Sequence, residues 1–154
     1  MNKENKLVPG LPSGFEDRWD KKLLLKKKLL KAIENNFIKF GAEALETPSF
    51  EISENIGSFL AEDDSNPMSD VFSFQDGEKS ITLRYDLSSP LARFVAQNNQ
   101  ELPSIFKRYQ IQNVFRNEKA GNGRYREFMQ ADFDIVGNVN PAQANAELCN
   151  LISS

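Results

Sequence analysis

The stretch IFKRYQIQNVFRNEKAGNGRYREFMQADFDIVG, Ile105 to Gly137, decides the fold that this sequence predicts. It contains two segments, IFKRYQIQNVFRNE and FMQADFDIVG, that alternate in the manner of β-strands. A basic turn with Gly121 and Gly123 joins them. Strands joined by so short a connection pair in antiparallel fashion, so a long β-hairpin is expected here.

A long helix is predicted upstream of the hairpin. Apolar residues recur at three- and four-residue steps from Trp19 to Phe40, which indicates an amphipathic helix of about six turns. Asp17 or Asp20 is expected to cap its start, and Gly41 is expected to end it. The lysines of KKKLLK lie opposite the leucines, so we interpret them as a solvated face in preference to an RNA or membrane patch.

Short elements connect the helix to the hairpin. ALETPSFE is a strand candidate in which Pro48 must lie at an edge, a strand start or a bend. Helical turns are expected near Ile56 to Leu60, followed by an acidic loop, Glu62 to Asp70, to which no role is assigned. VFSFQDGEKSITLRYDL reads as a second hairpin with a DG turn. Its second strand is expected to run to Leu87 and to place Arg84, Asp86 and Ser88 on one face.

Two further helices are expected, one from Pro90 to Asn98 and one that begins after Asn140 or Pro141. With them the chain reads as one α/β domain of the α+β type, a mainly antiparallel sheet flanked by helices. Its 154 residues are enough for one hydrophobic core.

Composition narrows the chemistry. The net charge of −3 provides no general attraction to nucleic acid, and no stretch resembles a signal peptide or a membrane helix, so a cytoplasmic protein is expected. The chain has no histidine, which excludes catalytic triads and imidazole metal ligands, and no metal site is identified among its side chains. The single cysteine, Cys149, is interpreted as a small buried hydrophobe. Catalysis must therefore use arginine, lysine, carboxylates, amides or hydroxyls.

The long hairpin carries residues suited to a small polyanionic ligand. Arg116 and Glu118 are two residues apart and project together, and Arg124 and Arg126 follow the flexible glycines of the loop. On the returning strand one face is expected to collect Phe128, Gln130, Asp132 and Asp134. Guanidinium groups, an aromatic ring and a carboxylate acceptor suit a nucleotide triphosphate. The alternative is a surface hairpin whose arginines pair with nearby acids.

The shorter hairpin contributes a second polar set. Asp86 and Ser88 are suited to an α-amino group, and Arg84 beside them would keep the carboxylate ionised. The alternative for Arg84 and Asp86 is a structural ion pair.

These motifs together resemble one family. FRNEKAGNGRYREFMQADFDIVG is similar to motif 2 of class II aminoacyl-tRNA synthetases, in detail that of the histidyl-tRNA synthetases. TLRYDLSSPLARFVA resembles the histidine-binding strand of that family, the helix with ALETPSFE resembles motif 1, and LPSGFEDR resembles the N-terminal entry. The resemblance places motif 1 at about 19–51, the histidine-binding strand at about 81–90 and motif 2 at about 109–137.

The resemblance implies ATP-dependent activation of histidine to an adenylate and its transfer to tRNA(His), the reaction of a histidine-tRNA ligase. Arg116 would be the catalytic residue, gripping the α-phosphate and the amino-acid carboxylate. Glu118 and Phe128 would hold the adenine, and Arg124 would reach the outer phosphates. Magnesium would accompany ATP as part of the substrate, and no tightly bound metal is expected.

For histidine, the resemblance implies that Asp86 and Ser88 hold the α-amino group, with Gln130 beside them and Asp134 near the imidazole. It assigns no role to Arg126.

The resemblance also bears on the extent of the chain. Motif 3 and an anticodon-binding domain are absent, so the sequence is expected to be the N-terminal part of a longer, homodimeric catalytic domain and to be inactive alone. One alternative is the histidine-binding regulatory subunit of ATP phosphoribosyltransferase, which shares the fold. Another is a synthetase-like binding module without catalysis.

Overall fold

The computed structural model describes residues 8–60 and 71–154, and the acidic loop expected at Glu62 to Asp70 lies outside them. In chain order the elements are α1 (Asp20–Lys39), β1 (Glu43–Ala44), β2 (Phe50–Ile52), α2 (Ser53–Leu60), β3 (Ser73–Asp76), β4 (Lys79–Leu83), α3 (Ser88–Asn98), β5 (Ile105–Phe115), β6 (Glu127–Gly137) and α4 (Pro141–Ser153).

The strands form two three-stranded sheets. In the first, β5 pairs with β6 in antiparallel fashion along the full length of both strands, and β1 adds to β5 in parallel. In the second, β4 lies between β2 and β3 in antiparallel fashion. The mainly antiparallel, helix-flanked fold and its long hairpin are confirmed, although the strands divide into two sheets.

One face of the β5–β6 hairpin is apolar and carries the core. Tyr109 and Phe133 lie opposite each other in the register and pack on Phe37 of α1, with ring centres 5.8 and 5.6 Å from it. Leu151 of α4 and Ala42 belong to the same cluster. Because side chains alternate along a strand, the other face of the hairpin is free to carry a different chemistry.

A smaller cluster lies under α3, where Leu91 packs with Leu45 and with Phe106 of β5. It brings the start of α3 close to the β5–β6 hairpin.

The helix ends follow the predictions in part. Asn140 caps α4, since its Oδ1 accepts from the amides of Ala142 (2.9 Å) and Gln143 (3.4 Å). Gly41, with φ +77°, ends α1 as predicted. The predicted cap by Asp17 or Asp20 is wrong, because the N-cap position is Trp19, in extended conformation and without a capping side-chain bond.

The predicted strand from 81 to 87 is too long. β4 ends at Leu83, where the backbone of Arg84 turns to other partners: its amide donates to Ser49 O (2.9 Å) and its carbonyl accepts from the amide of Phe115 (3.0 Å). The chain therefore crosses from the small sheet to the end of β5, and α3 begins at Ser88.

Two predictions of burial also need correction. Cys149 is exposed on α4, not buried, because α4 turns Leu151 and Leu148 inward instead. On α1 only the second half of the apolar face packs against the sheet, and Leu25 and Leu29 remain 69% and 59% exposed. Among the described residues, no helix combines the length and apolar character needed to cross a membrane.

Candidate functional site

The polar face of the β5–β6 hairpin forms the first half of the candidate site. Three cross-strand pairs follow one another along it: Gln112 with Gln130, Gln110 with Asp132, and Arg108 with Asp134. Directly paired residues of an antiparallel ladder lie side by side on one face. The structure thus brings Gln130 and Asp134 together as expected, and it adds three opposing side chains that the sequence did not reveal.

Arg108 is the centre of this face. It is fully buried, and it donates to Gln110 Oε1 at 2.9 Å and to the carbonyl of Leu87 at 3.2 Å. Its guanidinium lies 2.7 Å from Asp134 Oδ2. Burial lowers the pKa of Arg108, whereas the carboxylates of Asp134 and Asp132 raise it. An arginine keeps its charge under such conditions, so Asp134 faces a fixed cation.

Asp132 lies on this face as its alternation predicts, directly across from Gln110. Burial raises the pKa of its carboxyl, and the nearby charges of Asp134 and Asp86 raise it further, against the lowering effect of Arg108. The side-chain oxygen of Gln130 is buried and has no hydrogen-bond partner. Three carboxylates around one guanidinium, with an unused amide acceptor beside them, favour a ligand group that is cationic and donates hydrogen bonds.

Asp86 reaches this face from the chain before α3. Its Oδ1 accepts from the amide of Ser89 at 3.0 Å, and its charge acts on both Arg108 and Asp132. Ser88 is exposed at the first position of α3. The two residues are therefore neighbours at a helix start and do not share a strand face, because β4 has already ended.

Arg84 does not partner Asp86. It is buried, and its guanidinium donates to the carbonyls of Thr47 (2.8 Å) and Asn113 (2.6 Å) and to Gln112 Oε1 (3.0 Å). Both the expected support of the Asp86 carboxylate and the alternative ion pair are wrong. Arg84 instead fastens the chain between β1 and β2 onto β5.

Gln110 and Gln112 extend this fastening. Gln110 Nε2 donates to Thr47 Oγ1 (2.8 Å) and to Gln112 Oε1 (2.5 Å), and Gln112 Oε1 also accepts from the amide of Thr47 (3.1 Å). Buried polar groups of this kind are stable only when their partners are in place. The network therefore restrains the side chains on the polar face of β5.

Arg116 begins the second half of the site, next to the end of β5. Its guanidinium lies over the ring of Tyr85, 4.3 Å from the ring centre, and 5.0 Å from the centre of Phe128. Nε donates to the carbonyl of Tyr85 at 3.3 Å. Contact with two aromatic faces restricts the planar guanidinium, so Arg116 presents a positioned positive charge.

A cavity of about 290 Å³ opens beside Arg116, near the lower limit for small-molecule pockets. Its lining includes all four residues that the sequence assigned to a nucleotide, in the set Arg116, Glu118, Gly123, Arg124, Tyr125 and Phe128. Arg124 forms an ion pair with Glu118. The alternative of arginines that merely pair with acids thus describes Arg124, whereas Arg116 has carbonyl and aromatic partners.

Arg126, which the sequence left without a role, has partners on both sides. Its amide donates to Gly14 O (2.8 Å), its carbonyl accepts from the amide of Arg116 (2.9 Å), and its Nε donates to the carbonyl of Glu118 (2.8 Å). It is part of the support of the cavity.

Within residues 8–60 and 71–154, no group of three histidine, cysteine, aspartate or glutamate side chains is arranged to hold a metal ion.

Comparison with known proteins connects this geometry to a family. Residues 14–154 match the family model described as histidyl-tRNA synthetase. Over 154 residues the chain is 83% identical to a histidine-tRNA ligase of Pelagibacter ubique, covering all of this chain and 33% of that protein. It is 45% identical over 148 residues to the histidine-tRNA ligase of Rhodopseudomonas palustris (strain BisB18), covering 96% and 28%. The chain thus spans about a third of the length of the curated relatives it matches.

Solved structures share the fold. One is described as an ATP phosphoribosyltransferase regulatory subunit/histidyl-tRNA synthetase from Bacillus halodurans, with a TM-score of 0.80 at 24% identity over 99% of this chain and 38% of that one. Another is a histidyl-tRNA synthetase from Nostoc, with a TM-score of 0.73 at 28% identity over 94% and 34%.

Proposed function

The chain belongs to the histidyl-tRNA synthetase family, and from this premise we propose that the protein containing it activates histidine with ATP and transfers it to tRNA(His). The observation that supports this most directly is the order of groups on one hairpin face. The cavity with Phe128 and Arg116 is followed along β6 by Gln130 and then by Asp132 and Asp134. A nucleotide and an amino acid held there would meet at Arg116.

The reaction needs no nucleophile from the protein. The carboxylate of histidine attacks the α-phosphorus of ATP, and pyrophosphate leaves. Such a step is accelerated by in-line positioning and by positive charge where negative charge develops. Arg116 is the proposed catalytic residue, gripping the α-phosphate and the amino-acid carboxylate, and its stacking on Tyr85 prepares it for that role.

For ATP, we propose that Glu118 and Phe128 hold the adenine and that Arg124 reaches the outer phosphates, with Mg²⁺ bound to the ATP as part of the substrate. Arg124 must then leave Glu118. The side chain of Arg124 is 65% exposed. An exposed ion pair contributes only about 0–1 kcal/mol, so the phosphates of ATP can replace Glu118 as the partner of Arg124.

For histidine, we propose that Asp86 and Ser88 hold the α-amino group, with Gln130 beside them, and that Asp134 lies near the imidazole. The unpartnered oxygen of Gln130 and the excess of carboxylates suit an ammonium group. The guanidinium of Arg108, 2.7 Å from Asp134 Oδ2, holds that carboxylate in place.

The family also suggests how the chain is divided and assembled. We propose motif 1 at about 19–51, the histidine-binding segment at about 81–90 and motif 2 at about 109–137, within a longer cytoplasmic synthetase. Motif 1 helices form the dimer interface in this family. The exposed Leu25 and Leu29 of α1 are in keeping with a homodimer of the parent protein.

The test is histidine-dependent exchange of pyrophosphate into ATP by the protein expressed from the complete reading frame. Exchange that requires histidine and needs no tRNA is expected, and its absence with correctly folded protein would overturn the proposal. Residues 1–154 purified alone are expected to show no exchange.

A regulatory role on the same fold is the second candidate, because one structural neighbour carries that name beside the synthetase name. It predicts binding of histidine by calorimetry with no binding of ATP. A catalytically inactive synthetase-like module would give the same result. If calorimetry shows tight binding of ATP that is lost in Arg116 and Arg124 variants, both alternatives are refuted.

A further inference from the structure

A short segment before α1 lies against the connection that leads into β6. This N-terminal arm, defined here as Gly14–Arg18, contacts it at several points. The carbonyl of Gly14 accepts from the amide of Arg126 at 2.8 Å, and the guanidinium of Arg18 donates to the carbonyl of Glu127 at 3.3 Å. Tyr125 hydrogen-bonds to the carboxylate of Glu16, which raises the pKa of Tyr125.

Gly14 is the tightest of these contacts. Its φ of +84° belongs to the region that residues with a Cβ rarely adopt, and a Cβ there would lie 2.7 Å from Cγ of Arg126 and 3.0 Å from Cδ. The side chain of Arg126 therefore passes directly over the backbone of the arm. Any side chain at position 14 would displace it.

Arg126 transmits this contact to two residues of the cavity. Its Nε donates to the carbonyl of Glu118 at 2.8 Å, and its own carbonyl accepts from the amide of Arg116 at 2.9 Å. Its guanidinium lies 6.0 Å from the ring centre of Phe72, which in turn lies 6.1 Å from that of Phe15 in the arm. Arg126 thus connects the arm to Arg116 and Glu118, two residues that line the cavity.

We propose that the arm is a positioning element of the nucleotide site and that Arg126 is the positioning residue through which it acts. This inference rests on the proposed function, since it takes the cavity as the ATP site. Neither Gly14 nor the rest of the arm lines the cavity. Their effect is to hold the backbone of Glu118 and Arg116. Loosening the arm should therefore weaken the binding of ATP through Glu118, and it should leave unaffected the side chains around Arg108, which are proposed to bind the α-amino group and the imidazole of histidine.

The test compares Gly14→Ala with Gly10→Ala in the protein from the complete reading frame. Gly10 has no heavy atom near the position of an added Cβ and a φ outside the positive region, so it is the matched control. In histidine-dependent pyrophosphate exchange, Gly14→Ala should raise KM for ATP about tenfold, the order expected when strain is forced into a loop. KM for histidine should stay within about twofold of wild type, and Gly10→Ala should change neither.

Arg126→Met keeps the apolar part of the side chain over Gly14 but removes the Nε donor, and it carries the test if Gly14→Ala does not fold. It should raise KM for ATP selectively as well, and the double variant should lose less than the sum of the two changes. Equal rises in both KM values, or no rise in either, would overturn the inference.

Amide hydrogen exchange separates this inference from the proposed function. Without any substrate, Gly14→Ala should speed exchange at the amides of Arg116 and Arg126 relative to Gly10→Ala. If wild-type protein shows no histidine-dependent exchange of pyrophosphate, the proposed function fails, and the amide measurement still decides whether the arm holds the loop. Unchanged amide exchange would refute the positioning role.

Discussion

Replacing Arg108 by methionine should impair the use of histidine far more than the use of ATP. Methionine fills much of the same space without charge. The change removes the donor bonds to Leu87 O and to Gln110 Oε1, and it leaves Asp134 without the cation 2.7 Å away. Asp134 then loses its fixed place, and Asp132 loses the neighbouring charge that opposes the rise of its pKa.

The size of the effect follows from the ion pair. Unit charges ~4 Å apart attract by about 4 kcal/mol at an effective dielectric constant of ~20. The Asp134 side chain is 35% exposed, so water screens part of that attraction. We take about half of it, ~2 kcal/mol, as the contribution of the ion pair. If the proposed contact to the imidazole depends on it, kcat/KM for histidine should fall about 30-fold.

Pyrophosphate exchange measured against each substrate in turn checks this expectation. KM for ATP at saturating histidine should change by less than about twofold. Arg93→Met is the matched control, because it breaks an arginine–carboxylate pair of similar length. In that pair, Nε of Arg93 on α3 lies 2.6 Å from Glu51 Oε2. Arg93→Met should lower thermal stability without moving KM for histidine. A similar loss in both variants, or a parallel loss for both substrates in Arg108→Met, would show that Arg108 serves folding alone.

Three further changes test the site and the fold. Arg116→Gln should raise the activation free energy of the exchange reaction by about 3–4 kcal/mol, while KM for either substrate changes little. A rise in KM alone would contradict the catalytic role of Arg116. Gly137→Ala should lower unfolding stability by about 2–3 kcal/mol in thermal or urea unfolding, because φ is +134° and the Cβ would strike the carbonyl of Ser104, whereas Gly10→Ala should be neutral. Asp132→Asn should raise the melting temperature at about pH 8 and lose that advantage toward about pH 4. Because the carboxyl pKa of Asp132 is raised in the folded state, the stability of the wild type falls as pH rises through that pKa, and asparagine avoids this loss. An advantage that does not depend on pH would refute the assignment.

The hairpin was predictable because its signals are local. Alternation in β5 and β6 and the glycines between them require only neighbouring residues, and the start of α4 after Asn140 follows from the proline at its first position. Family motifs then located Arg116 and Phe128, which the structure places on one cavity.

The partners across the hairpin could not be predicted, because they depend on register. A shift of one residue between β5 and β6 would place the opposing side chains on the other face of the sheet. Arg108 reads in the sequence as one of two basic residues, Lys107 and Arg108, in a strand, yet Lys107 pairs with Glu147 of α4 while Arg108 is buried. Only the structure reveals which of the two belongs to the site.

The strand assigned through Arg84 to Leu87 failed for a related reason. Its alternation is genuine, but the backbone of Arg84 has better partners in Ser49 and Phe115, which are remote in sequence, than in a longer β4. Tertiary hydrogen bonds thus overrode the local pattern. The same crossing brings Asp86 to the polar face, so the misread segment is the one that joins the two halves of the site.

One face of the β5–β6 hairpin packs in the core, and the other is proposed to bind a ligand. Tyr109 and Phe133 on one face pack on α1 and supply apolar burial, while the other face buries Arg108 among carboxylates. A buried ion pair is often no more stable than apolar residues of the same volume, so the polar face is a poor way to stabilise a sheet. Its retention is explained if it binds a ligand. A variant with Arg108 and Asp134 both replaced by apolar residues should therefore be more stable than Arg108→Met, which leaves the Asp134 carboxylate without its cation, and it should fail to use histidine; lower stability of the double variant would contradict this reasoning.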